Sequence, residues 1–457
     1  MYNRCASLSQ RETGWIFDFW VLILDLRSEC GSVSRSAPEH QDAFGQFDRG
    51  PAAPKPRAKA GHFECMRDFL RLRSSSLMNI PATLRPTRTV LALFLLGTIS
   101  GLLSQATAAT PTSTTPPGDG LPRTNLLLFR GVGGAVQPVT NVQEWEKRRE
   151  SIRAAMQSIM GPLPGPEKRC ALDLKVNDEV DCGSYLRRSI SYAAEPGGRV
   201  PAFLLIPKQA LQQGKRVPAV LALHQTRPEG NKVVVGMANR PDDEYGVHLA
   251  ERGFVVLAPP YTMLADYWPD VSALGHESGT MKSIWDNIRG LDVLASLPFV
   301  KTNGFGTIGH SLGGHNGVYT AVFDERIKII VSSCGLDSYV DYYGGDPKVW
   351  QPERGWCQKR YMPKLAGYAG RLQEIPFDFY EIIGALAPRI CFINAPTGDS
   401  NFRWKSVDAV AAEAARVYKL YGRPENLQVA HPECEHRFPP EMRERAYRLL
   451  ETLKNDQ

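Results

Sequence analysis

The sequence predicts an α/β fold, a mainly parallel central sheet covered by helices on both faces, and three observations carry that expectation. Short β-rich, largely apolar runs recur from about residue 186 onward, and stretches of helical period separate the later ones. A glycine-flanked serine stands at the junction of one such run and one such stretch. Apolar strands joined by amphipathic helices belong to parallel sheets, because the crossover helices bury both faces. In such sheets ligands sit beyond the carboxyl ends of the strands, and chemistry is to be sought there.

The elements follow in chain order. Residues 143–160 place Trp145, Ile152, Met156 and Met160 at helical spacing, and Gly161-Pro162 stops the run. Strands are expected at 186–192, 202–206, 219–223, 254–258, up to 309, and then at 327–332, 389–394 and 427–430. Helices are expected at 243–252, 280–297, 312–323, 406–421 and 440–453. A long insert separates the sixth and seventh strands. It is aromatic (Tyr339, Tyr342, Tyr343, Trp350, Trp356, Tyr361, Tyr368), so it is either a sugar-stacking lid or a cap packed on the domain.

The segment before residue 140 has a different character. Met78 opens a stretch laid out like a secretory signal, with Arg85 and Arg88 ahead of an apolar run from Val90 and small residues Ala106-Thr107-Ala108 at its end. As a retained anchor, the run falls short of the roughly 20 apolar residues a span needs. The expected organisation is a non-native or unstructured extension (1–77), a signal peptide (78–108), a linker (109–139) and one domain (140–457). The expected location is outside the cytoplasm, periplasmic or secreted, without stable membrane association after cleavage.

With 43% hydrophobic and 22% charged residues, the 457-residue chain is ordinary globular material. Its formal charge is +6, but the residues beyond 108 hold 41 basic and 39 acidic side chains. So balanced a body argues against nucleic acid as a partner. Six of the nine cysteines (170, 182, 334, 357, 391, 434) lie beyond the signal, and none has zinc-type Cys-x-x-Cys spacing. In an exported chain some of them could be oxidised, and Cys170 and Cys182 flank a plausible hairpin.

Gly309-His310-Ser311-Leu312-Gly313 is a G-x-S-x-G element with a strand before it and a helix after it. That context puts Ser311 on a sharp turn, with its hydroxyl pushed out of the sheet and a helix N-terminus behind it. Chain order then asks for an acid and a histidine further on. His436, in the loop before the last helix, is expected to be the base in preference to His431. Asp399, just past the strand at 389–394, is expected to be the acid in preference to Asp337. Backbone N–H groups of Leu312 and of Gln225 or Thr226 would form the oxyanion hole. His224 would hold that loop or border the cleft, and Trp285 and Trp404 would be either cleft wall or core.

Leu223-His224-Gln225-Thr226, Gly309-His310-Ser311-Leu312-Gly313-Gly314, Asn394-Ala395-Pro396 with Asp399, and His436 together resemble the bacterial acetyl xylan esterase-like and dienelactone hydrolase-like branch of the α/β hydrolases. The resemblance covers residues 140–457. It implies hydrolysis of carboxylic esters, plausibly acetyl esters of plant polysaccharide, by a Ser-His-Asp acyl-enzyme route with no metal or organic cofactor. Dienelactone hydrolases proper carry Cys where this chain has Ser311. Glucuronoyl esterases carry Arg after the nucleophile where this chain has Leu312, so glucuronoyl specificity is not expected, although Arg389, Arg403 or Lys405 could still meet a carboxylate. The alternatives are a peptidase or lactonase on the same fold, and a non-catalytic secreted carbohydrate-binding protein.

Overall fold

The computed structural model describes residues 119–455. The expected extension and signal lie outside the described residues, as does the start of the expected linker. From residue 119 onward that linker is folded. Strands β1 (Leu128–Arg130) and β2 (Val136–Pro138) pair as an antiparallel ribbon. Leu126, Phe129 and Val139 are buried, and Arg123 forms an ion pair with Asp378 at 2.7 Å. Three apolar anchors spaced over fourteen residues are enough to bind a stretch of otherwise linker-like composition to the domain.

Helix α1 (Val142–Met160) follows, started by Asn141, whose side chain accepts the Glu144 N–H, and ended at Gly161 with φ 90°. Such a cap contributes about 1 kcal/mol. Then come strands β3 (Lys175–Asp181), β4 (Tyr185–Glu195), β5 (Gly198–Pro207) and β6 (Val217–Leu223), helix α2 (Tyr245–Glu251), strand β7 (Val255–Ala258) and helix α3 (Gly279–Ser296). Strand β8 (Val300–His310), helix α4 (Leu312–Phe323) and strand β9 (Ile327–Ser333) precede the insert, which contains the short helix α5 (Phe379–Gly384). The chain closes with β10 (Ile390–Asn394), α6 (Trp404–Leu420), β11 (Leu427–Ala430) and α7 (Pro440–Glu451).

Nine strands make one sheet in the order β11-β10-β9-β8-β6-β7-β5-β4-β3. The six from β11 to β7 are parallel, and β5, β4 and β3 extend it antiparallel. Alternation along β6 shows how it is covered. Ala219, Leu221 and Leu223 enter a core shared with α1, α3, α4 and α6, while Val220 and Ala222 enter one shared with α2 and α7. The two-faced burial expected from the apolar runs is what forms.

Strand β3 was not expected. Its sequence is polar, and all seven residues are exposed, because it is an edge strand held by β4 alone. It makes β9 the seventh strand of the sheet, so the insert lies between the seventh and eighth strands and not the sixth and seventh. Within the insert Tyr339, Trp350, Trp356 and Tyr361 are buried. Trp356 stacks on His315 with centroids 4.1 Å apart, and Tyr339 meets Trp350, Phe377 and Phe379 edge-on. These rings pack a cap. Among the described residues no helix is long and apolar enough to cross a membrane, and all six cysteines there are unbonded.

Candidate active site

Ser311 sits between β8 and α4 with φ 52° and ψ −121°, a conformation that non-glycine residues rarely adopt. The turn is held from both sides: the Ser311 N–H donates to the Ser333 carbonyl at 2.7 Å, and the Ser311 carbonyl accepts from the His315 N–H at 3.0 Å. Glycine is required around it. A Cβ on Gly309 would strike the backbone of Gly313, and one on Gly313 would strike the Leu223 carbonyl oxygen. That close approach sets the first turn of α4 against the end of β6, and so against residues 224–226.

His436 and Asp399 meet. The imidazole Nδ1 lies 3.0 and 2.9 Å from the two Asp399 oxygens, and both side chains are almost fully buried. Asp399 also accepts from the N–H groups of Asn401 and Phe402 at 2.8 and 3.1 Å. The two loops are laced together by backbone: Thr397 N–H to the Pro432 carbonyl and Gly398 N–H to the Cys434 carbonyl, both at 3.0 Å. Asn394, at the end of β10, donates to the Arg437 carbonyl at 3.0 Å and to Ser333 Oγ at 2.8 Å, tying the histidine loop to the strand that precedes the acid.

Ser311 and His436 line one cavity of about 470 Å³, together with Gln225, His310 and residues of the 227–243 and 434–443 segments. His310 packs on His436 with ring centroids 4.8 Å apart, and its Nδ1 is 3.0 Å from Ser333 Oγ. Burial drives the His310 pKa well below the ordinary value, with His436 and Arg227 adding to the effect. His310 therefore stays neutral.

The expected rivals are placed elsewhere. His431 is tied to the Ala395 carbonyl at 2.7 Å and to Asp408 at 2.8 Å, and it does not line the cavity. Asp337 is buried and accepts the Arg403 N–H at 3.1 Å. Burial and the nearby acids Asp378, Asp341 and Asp399 raise its pKa well above the carboxylate range.

Around the expected oxyanion hole, Leu312 is the first residue of α4, and Gln225 lines the cavity whereas Thr226 does not. His224 braces this loop from behind. Its Nε2 accepts the Tyr261 N–H at 2.8 Å, its Nδ1 lies 2.8 Å from the Gln225 carbonyl, and burial pushes its pKa down to about 4. It does not border the cleft. Nor do the two tryptophans. Trp285 is core, its Nε1 donating to the Ala194 carbonyl at 3.1 Å, and Trp404 packs on His431 at the start of α6. Arg389 is spent on the Asp324 and Ile327 carbonyls at the opposite end of the sheet, and neither Arg403 nor Lys405 lines the cavity.

Four groups were not singled out from sequence. Arg227 and Arg443 line the cavity. The side-chain amide of Gln225 is buried there, with neither end hydrogen-bonded to any described residue. Such a group costs about 1–3 kcal/mol when left unpaired, which suits it to a polar ligand atom. Cys334, directly after β9 with φ 49°, lies beside the acid: its Sγ, an Asp399 oxygen and a His436 nitrogen fall within 4.8 Å of one another. The same three atoms could ligate a metal. Burial and Asp399 raise the Cys334 pKa well above the thiol range, however, and Asp399 and His436 Nδ1 already engage each other. That state favours proton chemistry over metal binding.

Comparison with known proteins agrees with this fold. Residues 270–422 match the fungal glucuronyl esterase family. A glucuronoyl esterase from Solibacter usitatus superposes with a TM-score of 0.59 at 18% identity, over 72% of this chain and 97% of that one. A carbohydrate esterase family 15 glucuronoyl esterase from Caldicellulosiruptor kristjansonii gives 0.53 at 16% identity, over 70% and 88%. The hydrolase YtaP of Bacillus subtilis is 26% identical over 270 residues, 55% of this chain and 83% of its own length. The matched family and both superposed structures are glucuronoyl esterases, whereas the motifs resemble those of acetyl xylan esterases. Its sheet order, its serine elbow and these similarities give the chain the α/β-hydrolase fold.

Proposed function

We propose that this chain is an exported serine esterase that cleaves carboxylic esters of carbohydrate through an acyl-enzyme. The observation that carries the reading is the His436–Asp399 pair opening on the same cavity as the strained Ser311. Ser311 Oγ attacks the ester carbonyl while His436, through Nε2, takes its proton. Asp399 keeps the proton on Nδ1 and stabilises the imidazolium as it forms. Negative charge on the carbonyl oxygen is met by the Leu312 N–H at the N-terminus of α4 and by the backbone of the 225–226 loop. His436 then protonates the leaving alkoxide, and water repeats the sequence on the acyl-enzyme.

Glucuronoyl esters are supported by the family match over residues 270–422, and acetyl esters by the Leu223-His224-Gln225-Thr226 loop. The signal-like segment at 78–108 supports export. A panel of acetylated xylan, alkyl glucuronate esters and longer acyl esters, run on wild type and Ser311→Ala, tests the reading. Hydrolysis of at least one carbohydrate ester that falls by about 10³-fold or more in the variant is expected. Equal hydrolysis by both proteins would sink it.

A further inference from the structure

The wall of the cavity carries more positive charge than hydrolysis of a neutral ester requires. Arg227, Arg240, Arg437 and Arg443 line it against two acids, Asp242 and Asp243. Arg443 forms an ion pair with Asp242 at 2.9 Å and donates to the Phe438 carbonyl at 2.9 Å, bracing the loop that follows His436. Arg240 stands 4.0 Å from Glu229. Arg227 is only 8% exposed. Two residues before it, Gln225 adds its buried amide to the same wall, with no described residue hydrogen-bonded to either end. Arg227 and Arg443 both lower the pKa of His310, which packs on His436 with ring centroids 4.8 Å apart.

We infer that this wall reads a free carboxylate: the chain prefers esters that carry a second, ionised carboxyl group, held by Arg227 and Arg240 with the Gln225 amide while the ester carbonyl lies at Ser311. A guanidinium presents paired N–H donors that match the two oxygens of a carboxylate, and at a partly buried site the attraction is screened less than in open water. The amide supplies a further donor. The carboxylate meant here is not the one that is esterified. It belongs to the rest of the substrate, either to the acyl part or to the alcohol part, as on an acidic carbohydrate. The inference rests on the esterase reading above and adds to it which esters are favoured.

Matched pairs of esters distinguish the two sides. On the acyl side, the mono-4-nitrophenyl ester of glutarate is compared with 4-nitrophenyl butyrate. On the alcohol side, 3-acetoxybenzoate is compared with phenyl acetate. At low salt at least one pair should favour the anionic ester about tenfold or more in kcat/KM, the scale of one charge-assisted hydrogen bond. About 0.5 M NaCl should erode the preference. The ratio of anionic to neutral kcat/KM should fall toward one in Arg227→Gln and in Arg240→Gln, the second at the less buried position. If the arginines merely stabilised the oxyanion, both esters of a pair would lose rate together and the ratio would hold, which overturns the inference. Ratios at or below one in both wild-type pairs overturn it too, while turnover of the neutral esters by Ser311 would leave the esterase reading standing. Failure to turn over any ester removes both.

Discussion

Replacing Asp399 by Asn should slow the reaction by three to four orders of magnitude while leaving the fold in place. The carboxylate lies 2.9 Å from His436 Nδ1 and is almost fully buried. When His436 takes the Ser311 proton, the imidazolium–carboxylate attraction at that distance amounts to roughly 5–6 kcal/mol at an effective dielectric of 20. The Asn amide keeps the shape but loses the charge and offers an N–H to the wrong imidazole tautomer. A loss of about 4–5 kcal/mol in transition-state stabilisation corresponds to about 10³–10⁴ in rate. The amide oxygen can still accept from the Asn401 and Phe402 N–H groups, so the loop should hold. The assay is kcat on a 4-nitrophenyl ester with a thermal melt beside it, and Asp337→Asn serves as the comparison, its carboxyl being bonded to the Arg403 N–H. An Asp399→Asn enzyme within tenfold of wild type, or an Asp337→Asn enzyme equally slow, would refute the assignment of the acid.

Gly313→Ala should abolish soluble, active protein, because its Cβ meets the rigid Leu223 carbonyl, whereas Gly317→Ala, whose nearest neighbour is Thr307 Oγ1 at 3.3 Å, should cost little. Soluble yield and melting temperature compare them, and an active, stable Gly313→Ala would contradict the packing of the elbow against β6. Trp356→Ala should destabilise by about 3–5 kcal/mol, since the ring is buried and stacks on His315. A melting temperature within a degree or two of wild type would show the cap to be dispensable. His315 has a pKa pushed down from 6.5 to about 3 by burial. The unfolded chain therefore takes up its proton first as pH falls. Its contribution to stability is complete above about pH 6.5 and declines from there toward pH 3, by up to about 1.4 kcal/mol per unit. His315→Phe should show a shallower fall in melting temperature between pH 6.5 and 4, and parallel curves would count against a neutral buried histidine.

What the sequence makes legible follows from period. The helix expected at 406–421 forms as α6, because Val407, Val410, Ala411, Ala414, Val417 and Tyr418 bury one face at helical spacing. Strand β3 escaped notice because an exposed edge strand needs no apolar face, only the backbone of β4. The 119–139 stretch reads as linker despite the apolar run Leu126-Leu127-Leu128-Phe129, because its two strands are three residues each, too short to display a period. At the site, Ser311, Asp399 and His436 are suggested by motif and chain order. Cys334 is not, and the tie that Asn394 makes to Ser333 is not either, since both depend on β9 and β10 lying in register, Asn394 opposite Ser333. Sequence leaves Trp285 open between cleft wall and core and His224 open between loop brace and cleft, and the structure takes the core and the brace. An aromatic or a histidine near a candidate loop looks the same whether it faces the cleft or the core, and both are buried behind it.

The most direct measurement is covalent labelling with a fluorophosphonate, read by peptide mass spectrometry. One adduct, on the peptide holding Gly309-His310-Ser311-Leu312-Gly313, lost in Ser311→Ala and greatly slowed in His436→Ala, is the predicted result. No adduct, or an adduct on another serine that persists in Ser311→Ala, would contradict an activated nucleophile at Ser311.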